Sequence, residues 1–153
     1  MKKTDLAYFA GIFDGEGCIT IRARNRAYLA NGTIKACGYQ QLVIYLGNTN
    51  EWICRQLQFS FGGSLYCYKS RGKTQQDYWS WCATTRNALA FLEAVLPYLR
   101  IKKPQAEVAI NFQKQKHYHG RRRLTEEDKA MAEASRILLS NLKKPPSKWG
   151  KHD

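Results

Sequence analysis

The stretch F-A-G-I-F-D-G-E-G, residues 9–17, constrains this chain more than any other. Leu6, Phe9 and Phe13 recur at helical spacing, so one face of a helix packs inward. Asp5 stands where a carboxylate can cap the first turn. Ala7, Ala10, Gly11 and Asp14 share a second face, because positions three and four apart adjoin on a helix. A glycine inside a helix costs about 1 kcal/mol relative to alanine. Gly11 therefore wants a reason, and close approach by the backbone of another helix supplies one. Gly15 and Gly17 are expected to end the helix and to bracket a single carboxylate, Glu16. As bare chemistry such an end is an ordinary solvated cap. It is also a way to hold an acid at a packing seam.

Beyond Gly17, Ile19, Ile21 and Ala23 alternate with Thr20, Arg22, Arg24 and Arg26. A period of two means a strand with one face inward and three arginines on the other. Asn31-Gly32 marks the turn of a long hairpin. A second strand is expected over residues 33–46, with Leu42, Ile44 and Leu46 opposite Gln41, Val43 and Tyr45. Asn48 or Thr49 can cap the next helix, which runs to about Phe59 with Trp52, Ile53 and Leu57 on its buried side. Gly62-Gly63 breaks the pattern, and strands over 64–70 and 77–83 flank the basic turn Arg71-Gly72-Lys73. An apolar helix over 86–96 stops at Pro97, and Pro104 suits the first turn of another, to about Lys116. Thr125 and Asp128 match a capping box that opens a last helix to about Leu142. No repeat or long linker divides the chain, so residues 1–143 read as one domain and 144–153 as a basic tail.

Hydrophobic residues make up 44% of the 153 positions, enough for a buried core. The partner is indicated by charge. Lys and Arg number 25 against 12 Asp and Glu, which leaves +13. No acid stands between Glu16 and Glu51, and only Asp77 between Glu51 and Glu93. A first half so depleted of carboxylates suits a polyanion, and DNA, RNA and an anionic membrane surface all meet that description. Five cysteines without a C-x-x-C pair point away from zinc or a disulfide framework, and toward a reducing intracellular compartment. No run approaches the roughly 18 apolar residues that cross a bilayer.

The expected order α-β-β-α-β-β-α-α is an α+β fold: one four-stranded antiparallel sheet, helices on one face, and Arg22, Arg24 and Arg26 on the other. A β-ribbon fits the major groove of B-DNA, where arginine pairs bidentately with guanine. Unpaired RNA competes, since Tyr39, Tyr45, Tyr66, Tyr68, Trp79 and Trp81 can stack on bases wherever they are exposed. Phosphodiester hydrolysis needs an activated water and a stabilised leaving oxygen, both of which a divalent metal supplies. Mg2+ prefers oxygen ligands and keeps several waters, so one or two carboxylates suffice. Glu16 provides one per chain, and no second copy of its motif is present. A homodimer crossing at Ala7, Ala10 and Gly11 would bring two Glu16 side chains to a two-fold axis.

The 9–17 string resembles the LAGLIDADG motif of homing endonucleases. Phe9 stands for the first Leu, Ile12-Phe13 for Leu-Ile, Gly15 for the second Ala and Glu16 for the last Asp. The Cys18-Ile19-Thr20-Ile21 run follows at once. With the segment Leu96-Pro97-Tyr98-Leu99-Arg100-Ile101-Lys102, the likeness to single-motif, homodimeric members extends over residues 4–116. The resemblance implies the family's αββαββα fold with a DNA-binding sheet. It implies a metal-dependent, intron-encoded endonuclease that cuts both strands of a long near-palindromic DNA site across the minor groove, leaving 3′ overhangs. The metal implied is Mg2+, with Mn2+ or a non-catalytic Ca2+ as substitutes. By the same resemblance Glu16 and the Gly15 carbonyl ligate metal, and Asp14 supports the helix end at a dimer seam shared with Ala7, Ala10 and Gly11. The basic residue near the scissile phosphate carries onto Lys102, and the polar residue ending the second strand onto Asn48, although Gln is commoner there. Taken without the family, Lys102 is an ordinary surface lysine and Asn48 a plain helix cap. DNA contacts carry onto Arg22, Arg24, Arg26, Gln41, Val43 and Tyr45, and in the second hairpin onto Lys69, Arg71, Asp77 and Trp79. A maturase that helps RNA splice and a non-catalytic DNA-binding regulator are the other readings of the same fold.

Overall fold

Ile19 and Ile21 in the first strand, and Leu42, Ile44 and Leu46 in the second, fall at every second position, and that alternation decides which face of the sheet the helices cover. The computed structural model describes residues 1–28, 31, 34–70, 72, 76–116 and 124–144, with backbone alone over 24–28 and 34–38. Its elements are α1 (Lys3–Glu16), β1 (Gly17–Tyr28), β2 (Ile34–Asn48), α2 (Glu51–Phe61), β3 (Ser64–Tyr68), β4 (Tyr78–Thr84), α3 (Thr85–Val95), a 3-10 turn (Leu96–Tyr98), α4 (Lys103–Gln115) and α5 (Glu126–Leu142). Three helices follow the last strand, as the residue-by-residue reading has it and one more than the summary order α-β-β-α-β-β-α-α counts. The strands lie in the order β1-β2-β4-β3, each antiparallel to its neighbours.

Ile19, Ile21, Leu42, Ile44 and Leu46 turn toward the helices and are buried. Phe13 of α1, Trp81 of β4 and Phe91 of α3 meet them there. Phe91 packs edge-on to both others, with ring centroids 4.9 Å and 5.1 Å away. Such edge-to-face pairs are the favoured aromatic geometry. Trp81 also satisfies its indole N–H, which donates to the Gly62 carbonyl at 2.8 Å. Gly62 and Gly63 take φ of 71° and 95° on the way from α2 into β3, a turn open to residues without a Cβ. The pairing of β1 with β2 slips by one residue between Arg24 and Arg26.

Helix ends depart from expectation at three places. Asp5 sits inside the first turn of α1, where its carboxylate accepts the Lys2 N–H at 3.1 Å. At the other end Gly15 and Glu16 remain helical, and Gly17 alone stops the helix. A Cβ on Gly17 would lie 2.3 Å from the Phe13 ring, so only glycine lets the chain turn into β1 there. The cap of α2 is Asn50, whose side-chain oxygen accepts the Trp52 N–H at 3.0 Å; neither Asn48 nor Thr49 serves. Cys54 takes the buried place expected of Trp52, which is 55% exposed and stacks on Phe9. The capping box of α5 forms as read: Thr125 and Asp128 exchange side-chain to backbone bonds of 2.9 Å and 3.1 Å. α5 is held to β2 through Glu133, which accepts from Gln40 at 2.7 Å and pairs with Arg136.

What positions the end of α1 is Asp14. The residue is only 9% exposed, and its carboxylate accepts the backbone N–H groups of Arg100, Ile101 and Lys102 at 2.7, 3.2 and 2.8 Å. Burial opposes ionisation, but those three donors and the nearby Lys102 charge outweigh it and hold the carboxyl below its ordinary value. The direction of the shift fixes the pH dependence. A lowered folded-state pKa gives stability that is complete above the ordinary value of 3.8 and is lost as pH falls through the lower folded value. Asp14→Asn turns an NH2 toward one of the backbone donors and should cost about 1–3 kcal/mol at pH 7. Urea unfolding of both proteins should show that gap narrowing below pH 3.8; a gap constant down to pH 2 would contradict the assignment.

Candidate functional site

An α-helix leaves its last four carbonyls without partners inside the helix, and its C-terminal end is partly negative. The last turn of α1 has no basic residue of its own. The Gly17 N–H takes the Phe13 carbonyl. The Lys102 ammonium, arriving from the residue before α4, takes the Asp14 carbonyl. Next along the helix are the Gly15 carbonyl and Glu16, whose side chain is exposed. From the last residue of β2, Asn48 Nδ2 donates to Glu16 Oε2 at 2.6 Å, while Asn48 Oδ1 accepts the Asn50 N–H at 2.8 Å. The second bond settles which way the amide points. Gly15, Glu16, Asn48 and Lys102, scattered over the sequence, therefore meet at one end of the sheet.

A carboxylate and a peptide carbonyl at the negative end of a helix are hard oxygen donors in a field that favours cations. Among the described residues no group of three or more His, Cys, Asp or Glu gathers. Such a donor set fits Mg2+, which keeps most of its own waters, and does not fit a closed four-ligand zinc site.

The sheet face turned away from the helices carries the remaining expected residues, with corrections. Arg22 is exposed, opposite Gln41 in the β1–β2 pairing, and its guanidinium lies 5.5 Å from the centre of the Tyr45 ring. Burial, with the Cys82 thiol alongside, raises the Tyr45 pKa, so the phenol stays a neutral hydrogen-bonding group. Val43 is 3% exposed, enclosed between its partners Thr20 and Thr84, and offers nothing to a partner. Trp79 is on the wrong face: it packs against the core beside Trp81 and stands 5.5 Å from the Arg55 guanidinium. Lys69 and Asp77 pair with each other at 2.6 Å, and Asp77 also accepts the Ser70 N–H, so they lock the end of the β3–β4 hairpin. The side chains of Arg24 and Arg26, and the whole of Arg71, lie outside the described residues.

The small-residue face of α1 is also revised. Ala10 is fully buried and Asp14 nearly so, both inside their own protomer, whereas Ala7 and Gly11 are exposed. Missed in the sequence was Tyr78, whose hydroxyl rests on Gly47; a Cβ there would lie 1.7 Å from it. The signal was available in outline, because a glycine within a strand, here next to the end of β2, often marks a close approach.

The profile of the LAGLIDADG endonuclease family matches residues 9–119. Among solved structures, the homing endonuclease I-CvuI, in complex with the I-CreI target and Mg, superposes with a TM-score of 0.66 at 18% identity, over 95% of this chain and 86% of that one. The archaeal intron-encoded homing endonuclease I-Vdi141I, complexed with DNA, gives 0.66 at 12% identity, over 99% and 91%. Identities that low speak for the fold alone. No curated protein matches the sequence. The matched span starts at Phe9 of the motif, takes in every strand and runs past the end of α4: this chain belongs to the LAGLIDADG endonuclease family.

Proposed function

We propose that this protein is a site-specific double-strand DNA endonuclease acting as a homodimer, each copy hydrolysing one strand at its own Glu16. The observation that carries the reading is the Asn48–Glu16 hydrogen bond at 2.6 Å, beside a Lys102 ammonium anchored on the Asp14 carbonyl. The Glu16 carboxylate and the Gly15 carbonyl would hold Mg2+, which when bound would supply an activated water and positive charge for the leaving oxygen. Asn48 holds the carboxylate in one orientation. Lys102 keeps a fixed cation next to it, where the scissile phosphate and its developing charge arrive. The Arg22 face lies along the major groove, and a net charge of +13 draws the phosphate backbone to it. A long near-palindromic target cut across the minor groove with 3′ overhangs, and a gene carried in an intron, complete the reading.

The dimer follows from counting carboxylates. One Glu16 per chain supplies half of a two-strand cut, so the second must come from a second copy. Exposed Ala7, Gly11 and Gly15 form a narrow stripe along α1. A Cβ added to Gly11 or Gly15 would meet nothing within 4 Å, which leaves room there for another helix backbone. This stripe replaces the seam through Ala10 and Asp14.

The test is cleavage of a randomised duplex library by the full chain with and without Mg2+. Glu16→Gln should keep sequence-specific binding and lose cleavage by at least about 100-fold; an undiminished rate would remove Glu16 from the chemistry. Gly11→Leu should leave the far-ultraviolet circular dichroism unchanged and shift sedimentation from dimer to monomer. Dimers persisting in that variant would place the seam elsewhere.

A further inference from the structure

Across the outward face, chemistry changes from one edge of the sheet to the other. Near β1 and β2 stands the exposed cation Arg22. On β3 and β4 the outward positions are Ser, Tyr, Cys or Thr, without a charge, and beyond them Lys69 and Asp77 neutralise each other. Three tyrosines dominate this half: Tyr66, Tyr68 and Tyr78 are 51%, 59% and 46% exposed. Leu65 and Cys67, between and before them on β3, turn inward, so the strand's alternation holds the rings out. Tyr68 and Tyr78 are direct partners across the strands, with ring centroids 6.3 Å apart, and Gly47 gives the Tyr78 hydroxyl its seat.

In the major groove, guanine is read by Arg or Lys, whereas thymine is read by apolar contact with its 5-methyl group. Among its described residues the β3–β4 half has one cation, Lys69, already paired with Asp77, and it has apolar ring surface in quantity. Resting on the duplex-cleaving reading above, we infer that this half of the sheet selects thymine, with the rings of Tyr66 and Tyr68 packed on thymine methyl groups, while Arg22 selects guanine elsewhere in the half-site. Side chains two apart on a strand are separated by about 6.8 Å, and successive nucleotides of one strand rise by about 3.4 Å. The two tyrosines therefore meet bases about two positions apart. Their hydroxyls accept or donate toward either neighbour and add little discrimination of their own, so the methyl group carries the preference.

The experiment uses the full chain and synthetic duplexes. Sites are first selected by binding from a randomised library without divalent metal, and each thymine in the recovered site is then replaced by deoxyuridine, which lacks only the methyl. The wild type should lose affinity by about fourfold at each of two positions spaced two apart, the value expected for one buried methyl. Tyr66→Ala with Tyr68→Ala should bind thymine and deoxyuridine sites alike there, yet keep the guanine preference. Tyr66→Phe with Tyr68→Phe, which keeps the rings and guards against misfolding, should retain the methyl sensitivity. Site-specific binding with no thymine preference, or a methyl effect unchanged in the alanine variant, overturns this inference and leaves the endonuclease reading intact. Equal binding to the single strand of the same sequence overturns it in favour of base stacking. No sequence-specific duplex binding at all overturns both.

Discussion

The Asp14 carboxylate is the point on which the site depends. A buried carboxylate stays ionised only where donors replace the water it has lost. Here those donors are three consecutive N–H groups from residues 100–102, a stretch of chain between the 3-10 turn and α4 with no regular structure of its own. One side chain thus fixes the end of α1 and the path into α4 together. The Lys102 ammonium closes the arrangement from the other direction by taking the Asp14 carbonyl. Two residues 86 positions apart in the chain, Glu16 and Lys102, come to one place because of contacts made by Asp14, which touches no substrate in the proposed reaction.

The second constraint is the two-residue period of the sheet. A slip of one residue in a strand exchanges everything it shows for everything it hides. Leu42, Ile44 and Leu46 commit β2 to one register, and Trp81 and Ala83 do the same for β4. Once β4 is set, Tyr78 and Cys82 must face outward and Trp79 inward. What the outward face presents is therefore dictated by residues on the opposite side of the sheet.

These two constraints explain what the sequence disclosed. The start of the first hairpin, through Arg22, was legible because Ile19 follows the motif without a gap, so its inward and outward residues could be counted from Glu16. Asn48 was legible as the strand's last polar residue, though its partner Glu16 is 32 positions away and its expected second role as a helix cap went to Asn50. The second hairpin was illegible in register. Its turn offered no fixed residue to count from, and Trp79 was assigned to the face it does not occupy. Val43 failed for a different reason: its side of the strand was right, but in a central strand the neighbours Thr20 and Thr84 close over a short side chain. The small residues of α1 were ambiguous, because Ala and Gly suit close packing inside a protomer as well as between two.

In the proposed dimer that ambiguity resolves, because α1 then has two working faces. Phe9, Ala10, Phe13 and Asp14 pack inward and fix the helix against α3 and the segment before α4. Ala7, Gly11 and Gly15 lie along the flank beside Ala10 and Asp14, exposed and free of any neighbouring side chain at the two glycines. A helix glycine costs about 1 kcal/mol, and an exposed one gains nothing back within its own protomer. In the proposed dimer the return comes from a second helix lying close enough for two Glu16 carboxylates to share one cut site. The same closeness requires each carboxylate to be held from its own protomer, since nothing flexible could keep two like charges together as metal and phosphate arrive. The Asn48 bond and the Asp14 anchor meet that requirement before any partner is present.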